Sequence, residues 1–559
     1  MRNNENAANR YSYVGEIYTL GEKLRKRQIL DSLPENWRKL HEEGYIHIHD
    51  LDAYGLTYNC LAFNILADFP YAKFAGLSDE KKISGTFGYI IKLLTDMGNE
   101  QSGGMAFANF DDELSAILAR LGVSPTDENR GHIRAGMREL ILWDSGTHTR
   151  MGQTSYYVTF NIGLAKDGGA RFVAQALISE FEACPLAFRP NIVFKVKEGV
   201  NAKEGDPNFD LYVMALRCTA RKMIPTYLLC DCEEDRDIPA ENLSVMGCRT
   251  RIADDVCGEA TSVGRGNIDN ISVNLPRLAL ETARECEGTA ERMERFTRKW
   301  DRVAGDVKDI LLDRYEKVCA RLLSDFPVNS SHSLWCVPFD DPREVFRHGT
   351  LSIGFIGLSE AMETLTGKRF YLDGDTCACA LGFVKHMRDY CDSLRDRYGM
   401  NFSLLATSGE LISGRFAEKD RELFGDGIGI IGKGFYTNSF HVNVDSGLSA
   451  FRKIEFEGMF HRYCNGGSIT YVELGEAPLG NDEGLREYID CAVRSGVHYL
   501  GFNFPKDVCA ECGTEGVFDS CPFCGSGNVI RIRRVSGYLE VLDGFTEGKK
   551  NEERRRRKN

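Results

Sequence analysis

The feature that most constrains this chain is a set of four cysteines near its C-terminus. They form two short pairs, Cys509-Ala-Glu-Cys512 and Cys521-Pro-Phe-Cys524, and a glycine follows each pair. Four thiolates suit tetrahedral Zn²⁺, and each Cys-x-x-Cys turn supplies two of them. The glycines let the backbone turn tightly after each pair. Two redox pairs or buried free thiols are the alternatives. The eight-residue gap between the pairs is shorter than the commonest zinc-finger spacing, but zinc ribbons tolerate it, so we expect a closed, structural zinc ribbon over residues 506–528.

An alternating segment follows the cysteines, Val529–Val535, and leads into Ser536-Gly537-Tyr538-Leu539. The alternation of apolar and basic residues predicts a strand. A glycine after a strand is most often a turn residue. Gly537 could instead carry chemistry, because an unpaired electron on a glycine α-carbon is delocalised over the flanking amide nitrogen and carbonyl. We therefore treat Gly537 as a candidate site for a stored radical.

Composition and charge indicate a large cytoplasmic protein. Hydrophobic residues make up 43% of the 559 residues, enough for one large core or several ordinary domains. The net charge of −13, from 69 basic and 82 acidic residues, argues against a general nucleic-acid-binding protein. We expect no membrane span, and the N-terminus lacks the apolar core of a signal peptide. The 19 scattered cysteines are therefore expected to be reduced thiols.

Upstream, predicted helices and strands alternate. Residues 14–44 have a helical pattern, and Tyr45-Ile-His-Ile-His-Asp50 has the alternation of a half-buried strand. His47 and His49 share one face of that strand. No third metal ligand is evident, so we expect both to be hydrogen-bonding groups in a polar cleft. The α/β rhythm continues in helices predicted at 169–183 and 208–221 and strands predicted at 190–196 and 225–230.

Residues 244–277 form a second region of interest. The region opens with Ser244-Val-Met-Gly-Cys248-Arg-Thr-Arg and returns through Gly264-Arg-Gly-Asn267 to Asn274-Leu-Pro-Arg277. Two β-like segments joined by a polar loop predict a hairpin that projects into a barrel, with Cys248 near its tip. Spacing alone leaves Cys248 an ordinary cysteine, and a lone cysteine such as Cys60 is most often a small buried hydrophobe.

Two polar, glycine-bearing stretches, residues 99–111 and 149–155, have the small and hydroxyl residues that offer backbone amides to phosphates. Each is a weak signal by itself, and ordinary loop structure is the alternative.

Taken together, these segments resemble anaerobic (class III) ribonucleotide reductases, a family of glycyl radical enzymes. The most specific matches are the Met246-Gly-Cys-Arg finger, the four-cysteine ribbon and the Arg534-Val-Ser-Gly-Tyr-Leu539 end. Further matches lie in the same order between about residues 45 and 540, in the stretches 47–50, 99–111, 348–358, 401–407, 413–416 and 436–442.

The resemblance implies an α/β fold, a ten-stranded barrel built from two antiparallel halves. The barrel would occupy residues 45–505, with a finger loop at about 244–277 threaded through it. An N-terminal helical segment (1–44) would precede it, without an ATP-cone, because family-like sequence begins by about residue 15. The zinc ribbon, a glycyl radical segment (529–546) and a charged tail (547–559) would follow; we expect the tail to be solvated and disordered.

The resemblance also implies an activity, the reduction of ribonucleoside triphosphates to deoxyribonucleotides for DNA synthesis. Gly537 would store the radical and pass it to Cys248, whose thiyl radical takes the 3′ hydrogen of the ribose. Cys60 would donate hydrogen on the opposite face of the sugar. Asn267, with Asn274 as second choice, would orient the ribose or the reductant. The pattern of cysteine, cysteine and asparagine makes formate the expected reductant; a redoxin is the alternative.

Partners follow from what the chain lacks. The sequence has no Cys-x₃-Cys-x₂-Cys motif for the iron–sulfur cluster that cleaves S-adenosylmethionine. The resemblance therefore implies a separate radical-SAM activating enzyme with a 4Fe–4S cluster. A homodimer and dNTP or ATP effectors at a specificity site are also implied, whereas nucleic acid and membrane partners are not expected. Asp269 departs from the family pattern, in which a smaller residue is expected near Asn267.

Two alternatives are another glycyl radical enzyme and a non-enzymatic zinc-ribbon protein, and each predicts a different sequence. A pyruvate formate-lyase needs two adjacent cysteines, and no two of the 19 cysteines here are neighbours. A diol dehydratase needs a glutamate two residues after the finger cysteine, where this chain has Thr250. A non-enzymatic zinc-ribbon protein that binds nucleic acid through its basic tail would leave most of this acidic chain without a role.

Overall fold

The computed structural model describes residues 13–66, 68–146, 157–534 and 536–558. Its strands are β1 (Ile46–Ile48), β2 (Cys60–Phe63), β3 (Met105–Phe107), β4 (Val158–Ile162), β5 (Asn191–Val196), β6 (Thr226–Leu229), β7 (Val245–Met246), β8 (Thr250–Arg251), β9 (Arg265–Asn274), β10 (Thr350–Ile356), β11 (Asn401–Ala406), β12 (Thr470–Glu473), β13 (Tyr499–Asn503), β14 (Lys506–Cys509), β15 (Glu515–Gly516), β16 (Val529–Arg534) and β17 (Leu539–Val541).

The helices alternate with these strands along most of the chain. They are α1 (Tyr13–Ser32), α2 (Glu35–Glu42), α3 (Asp79–Met97), α4 (Phe110–Arg120), α5 (Asp127–Gly146), α6 (Gly168–Glu182), α7 (Phe209–Lys222), α8 (Leu275–Glu285), α9 (Thr289–Cys319), α10 (Pro327–Ser331), α11 (Pro342–Phe346), α12 (Leu358–Thr366), α13 (Gly374–Tyr398), α14 (Ile412–Phe424), α15 (Ala450–His461), α16 (Asp482–Arg494) and α17 (Glu547–Arg555).

Ten strands form the predicted barrel. Strands β2 to β6 pair in parallel in chain order, and β9, β10 and β11 form one parallel group while β12 and β13 form another. The two halves meet in antiparallel pairs, β2 with β9 and β6 with β13. The ring is closed between β11 and the residues before β12, where Gly466 N donates to Leu404 O (2.9 Å) and Ala406 N donates to Gly467 O (3.0 Å).

The barrel strands are buried because helices cover their outer face. Every residue of β10, Thr-Leu-Ser-Ile-Gly-Phe-Ile, is buried, as expected for a parallel strand between a packed interior and a helical layer. The 31-residue α9 presents a buried stripe to the sheet that includes Trp300, Val303, Val307 and Ile310, at the spacing of one helix face. In the part of the chain described, no helix is long and apolar enough to cross a bilayer.

The finger is shorter than the sequence suggested. Strands β7 and β8, of two residues each, form a short hairpin whose tip is Gly247-Cys248-Arg249. The prediction of a cysteine at a hairpin tip is thereby confirmed. The second β-like segment, Arg265–Asn274, is not the returning arm of that hairpin. It is the barrel strand β9, and a loop joins it to β8. Its run of buried residues fits a central strand rather than an inserted arm.

The charged C-terminus is ordered, which corrects the prediction of a disordered tail for residues 547–558. Helix α17 packs against α14, and some of the charged residues of this segment form buried ion pairs. Arg556 contacts Glu473 at 2.5 Å and Glu552 at 2.9 Å, and Lys549 donates to Asn438 (3.2 Å) and Glu552 (2.6 Å). Glu473 belongs to β12, so the sequence of the tail alone carries no sign of this partner.

Candidate active site

A cavity of about 220 Å³ lies inside the barrel at the finger tip. It is lined by Cys60 from the start of β2, Cys248 from the finger and Tyr538 from the C-terminal segment. Two glycines, Gly103 and Gly104, make room for these groups. A Cβ on Gly103 would come within 2.7 Å of the Cys60 sulfur, and one on Gly104 within 2.9 Å of the finger backbone. The predicted glycine-bearing stretch 99–111 therefore forms a cavity wall.

Gly537 lies against the backbone of Cys248. A Cβ placed on Gly537 would be 1.7 Å from the Cys248 carbonyl oxygen and 2.4 Å from the Cys248 Cα. Because a carbon–carbon bond is about 1.5 Å long, the Gly537 α-carbon lies within about 3.2 Å of that oxygen. No residue with a side chain fits here without moving one of the two segments. The structure thus brings the candidate radical glycine and the finger cysteine into contact.

Buried polar contacts hold the glycine loop (residues 536–538) in place. Arg534, almost fully buried, donates to the carbonyl oxygens of Gly537 (3.0 Å), Phe502 (2.9 Å) and Met223 (2.5 Å). The Ser536 hydroxyl donates to the Glu410 carboxylate. One arginine therefore fixes the loop to the end of β13 and to the residue after α7.

The surroundings of Cys60 keep its thiol protonated. Its sulfur accepts a bond from Gly104 N (3.2 Å) and lies 2.7 Å from the Asn59 side-chain oxygen. Burial raises the pKa of the Cys60 thiol far above its ordinary value, because a thiolate would lose its hydration inside the protein. Across the cavity, the Cys248 sulfur lies 3.2 Å from the Ser408 hydroxyl.

The structure does not place Asn267 on the cavity wall, which corrects its predicted position. Its amide donates to the hydroxyls of Thr350 (2.9 Å) and Ser352 (3.0 Å) on β10. The second choice, Asn274, caps α8 through the amide of Arg277. The asparagine that does line the cavity is Asn270.

The reason for this shift is a β-bulge. Asn267 lies opposite Thr350 and Asp269 opposite Leu351, so Ile268 is an extra residue in β9. A bulge redirects the side chains on either side of it, and sequence alternation alone gives no sign of it. Asp269, the residue that departs from the family pattern, makes a buried ion pair with Arg314 at 2.7 Å.

The four predicted zinc ligands converge on one point. Their sulfur atoms all lie within 4.8 Å of one another, with 3.5 Å between Cys509 and Cys524 and 3.5 Å between Cys512 and Cys521. Tetrahedral zinc with bonds of about 2.3 Å would set its sulfurs about 3.8 Å apart. The donor set therefore fits a four-thiolate zinc ion, in a ribbon built from β14, β15, β16 and β17.

Sequence reasoning missed several other residues of the cavity, among them Thr407, Ser408 and Glu410 on the loop after β11. Thr407 is the last residue of the 401–407 segment that resembles the family, and Ser408 and Glu410 follow it directly, so that segment was the available signal. The second predicted phosphate-binding stretch, 149–155, lies outside the described residues.

A barrel of two antiparallel halves, with a cysteine hairpin inside it and a buried glycine against that cysteine, is the fold of a glycyl radical enzyme. The glycerol-bound B12-independent glycerol dehydratase of Clostridium butyricum shares the fold, with a TM-score of 0.56 and 9% identity over 97% of this chain and 84% of that one. The anaerobic ribonucleotide reductase of Thermotoga maritima, solved in complex with dATP and CTP, matches with a TM-score of 0.71 and 17% identity over 96% and 90%.

The chain belongs to the anaerobic ribonucleoside-triphosphate reductase family, whose sequence model matches residues 5–559. A curated relative, the anaerobic ribonucleoside-triphosphate reductase of Escherichia coli K12, is 30% identical over 94% of this chain and 78% of its own length. The family resemblance seen in the sequence is thereby confirmed.

Proposed function

We propose that this chain reduces ribonucleoside triphosphates to 2′-deoxyribonucleoside triphosphates by radical chemistry. The observation that carries the proposal is the contact of Gly537 with Cys248 beside a cavity that also holds Cys60. Family membership supports the substrate class, and the T. maritima relative was solved with a ribonucleotide, CTP.

The residues divide the work as follows. Gly537, once activated, takes the hydrogen of the Cys248 thiol and so moves the radical into the cavity. Cys248 then abstracts the 3′ hydrogen of a bound ribose and returns it at the end of turnover. Cys60 supplies hydrogen at the 2′ position, and its raised pKa keeps that hydrogen in place at neutral pH. Gly537 and Cys60 are buried and Cys248 is half-buried, so little water reaches the radicals, which protects them.

Formate is the reductant we propose, and Asn270 takes over the role first given to Asn267. Asn270 lines the same cavity as Cys60 and Cys248, and its amide offers the donors that a small carboxylate needs. Asn267 instead fixes β9 to β10 through two hydroxyl contacts.

Activation requires a partner protein, a radical-SAM enzyme. The zinc ribbon and α17 flank the glycine loop on either side in the chain, so we propose that zinc binding holds this segment in a form that the activating enzyme recognises. The reductase is proposed to work as a homodimer with nucleotide effectors, as the dATP bound to the T. maritima relative suggests for that protein.

An anaerobic turnover assay with activated protein tests the proposal. Deoxynucleotide formed from CTP or ATP is measured with and without formate, for the wild type and for Cys248→Ser, Cys60→Ser and the control Cys377→Ser. We expect formate-dependent product from the wild type and the control and none from the other two. Turnover by Cys248→Ser, or product from a reduced redoxin without formate, would contradict the assignment of the radical cysteine or of the reductant, respectively.

A further inference from the structure

The inner cavity adjoins a larger outer cleft. The cleft has a volume of about 610 Å³ and is bordered by α1, β1 and the loop before α14. Seven residues line both spaces: His49, Asp50, Gly98, Gln101, Ser102, Ser408 and Glu410. His49 is the one imidazole among them, so it has access to both sides.

His49 connects to the inner cavity through two hydroxyl groups. Its Nε2 lies 2.9 Å from the Ser272 hydroxyl, which lies 2.8 Å from the Thr407 hydroxyl. Thr407 lines the inner cavity. These distances are ordinary for hydrogen bonds between groups that can each donate and accept.

On the side of the outer cleft, the imidazole of His49 is the first of three neighbouring histidine rings. The ring of His47 lies edge-on to that of His49 at 4.8 Å, and the ring of His41 lies 5.3 Å from that of His47. All three histidines line the outer cleft. A polar path therefore runs from the cleft to the wall of the inner cavity.

The surroundings keep His49 neutral at pH 7. Burial lowers the pKa of His49 to about 4; Arg314 and Arg415 lower it further and Glu410 opposes them. A neutral imidazole has one donor and one acceptor nitrogen, so it can take a proton at one nitrogen and release one from the other.

The proposed reaction needs such a path. Ribonucleotide, formate and one proton become deoxyribonucleotide, carbon dioxide and water: the formate carbon loses two electrons, and carbon 2′ gains two as its C–O bond breaks and a C–H bond forms. Formate supplies one hydrogen, and the second must come from solvent in every turnover. His49 lines both the inner cavity and the outer cleft, so it is placed to deliver that proton.

We propose that His49 relays this proton from the outer cleft, through Ser272 and Thr407, to the oxygen that leaves carbon 2′ as water. The inference rests on the proposed function and adds to it the residue that supplies its proton. The relay involves no residue that stores or transfers the radical, so the relay can be wrong while the proposed function holds.

The test compares His49→Gln with His386→Gln, a control on the surface of α13. The glutamine amide can keep a hydrogen bond to Ser272 but does not exchange protons at neutral pH. We expect formate-dependent kcat to fall about a hundredfold, the lower range for a positioned acid–base group, while radical yield and nucleotide KM stay at wild-type values. A solvent deuterium effect on kcat should appear, and imidazole should restore turnover to His49→Ala.

Three results would overturn the relay. One is wild-type kcat in His49→Gln; another is a loss of radical yield or a rise in KM that accounts for the whole defect, because either marks a structural role. The third is a His49→Ala defect that imidazole does not relieve. If the wild type itself shows no formate-dependent turnover, the proposed function fails, whatever the variant does.

Discussion

Replacement of Gly537 by alanine tests the close approach that defines the site. The new Cβ would lie 1.7 Å from the Cys248 carbonyl oxygen, so one segment must move by about 1.5 Å to restore van der Waals distance. The finger and the loop are both fixed, the latter by the three bonds of Arg534. Overpacking of this kind costs about 1–3 kcal/mol, which raises the equilibrium for opening of the loop about 5- to 150-fold.

Hydrogen exchange read by mass spectrometry measures that opening directly, in protein that has not been activated. Peptides covering residues 529–546 should exchange faster in Gly537→Ala by that factor. The matched control is Gly527→Ala, in the same C-terminal region, where an added Cβ meets nothing within 4 Å. Equal protection of the loop in wild type and Gly537→Ala would refute the contact and, with it, the placement of the radical glycine against Cys248.

Three further predictions concern the ribbon, the tail and the buried thiols. Cys512→Ser should remove the zinc measured by elemental analysis and with it the radical, whereas Cys336→Ser, outside the ribbon, should keep both; full radical yield without zinc would contradict the proposed role of the ribbon. Arg556→Ala removes the arginine that pairs with the buried Glu473 and should cost about 3–5 kcal/mol, seen as a lower urea midpoint, while the exposed Arg555→Ala should change little. Equal midpoints would argue against the ordered tail. Burial raises the pKa of Cys218, so above about pH 8.5 the folded state keeps a thiol proton that the unfolded state loses, and this thiol should lower the free energy of unfolding by about 1.4 kcal/mol per pH unit. Cys218→Ala, measured without oxygen, should therefore lose stability less steeply as pH rises, and a slope equal to that of the wild type would contradict the prediction.

The features that the sequence predicted well are those set by local chemistry. The zinc ligands follow from two Cys-x-x-Cys turns whose geometry depends on a few neighbouring residues. The strands at 190–196 and 225–230 correspond to β5 and β6 because their apolar runs bury both faces. Cys248 and Gly537 were indicated by family resemblance, and the contact between them needed the structure, since nearly three hundred residues separate them in the chain.

The failures have a common physical origin in long-range pairing. Asn267 and Asn270 are both asparagines and lie three positions apart, and a bulge at Ile268 decides which one faces the cavity. The order of the charged tail depends on Glu473, a partner 83 residues from Arg556. The composition of the tail predicts a solvated segment whether or not such a distant partner exists.

The most direct test of the account is an anaerobic electron paramagnetic resonance spectrum of the protein after treatment with its activating enzyme, S-adenosylmethionine and a reductant. The account predicts a doublet that collapses to a single line when glycine carries deuterium at the α-carbon, and that is absent from Gly537→Ala. Addition of nucleotide and formate should then yield deoxynucleotide from the wild type alone. A signal that persists in Gly537→Ala, or no signal while the activating enzyme demonstrably cleaves S-adenosylmethionine, would contradict it.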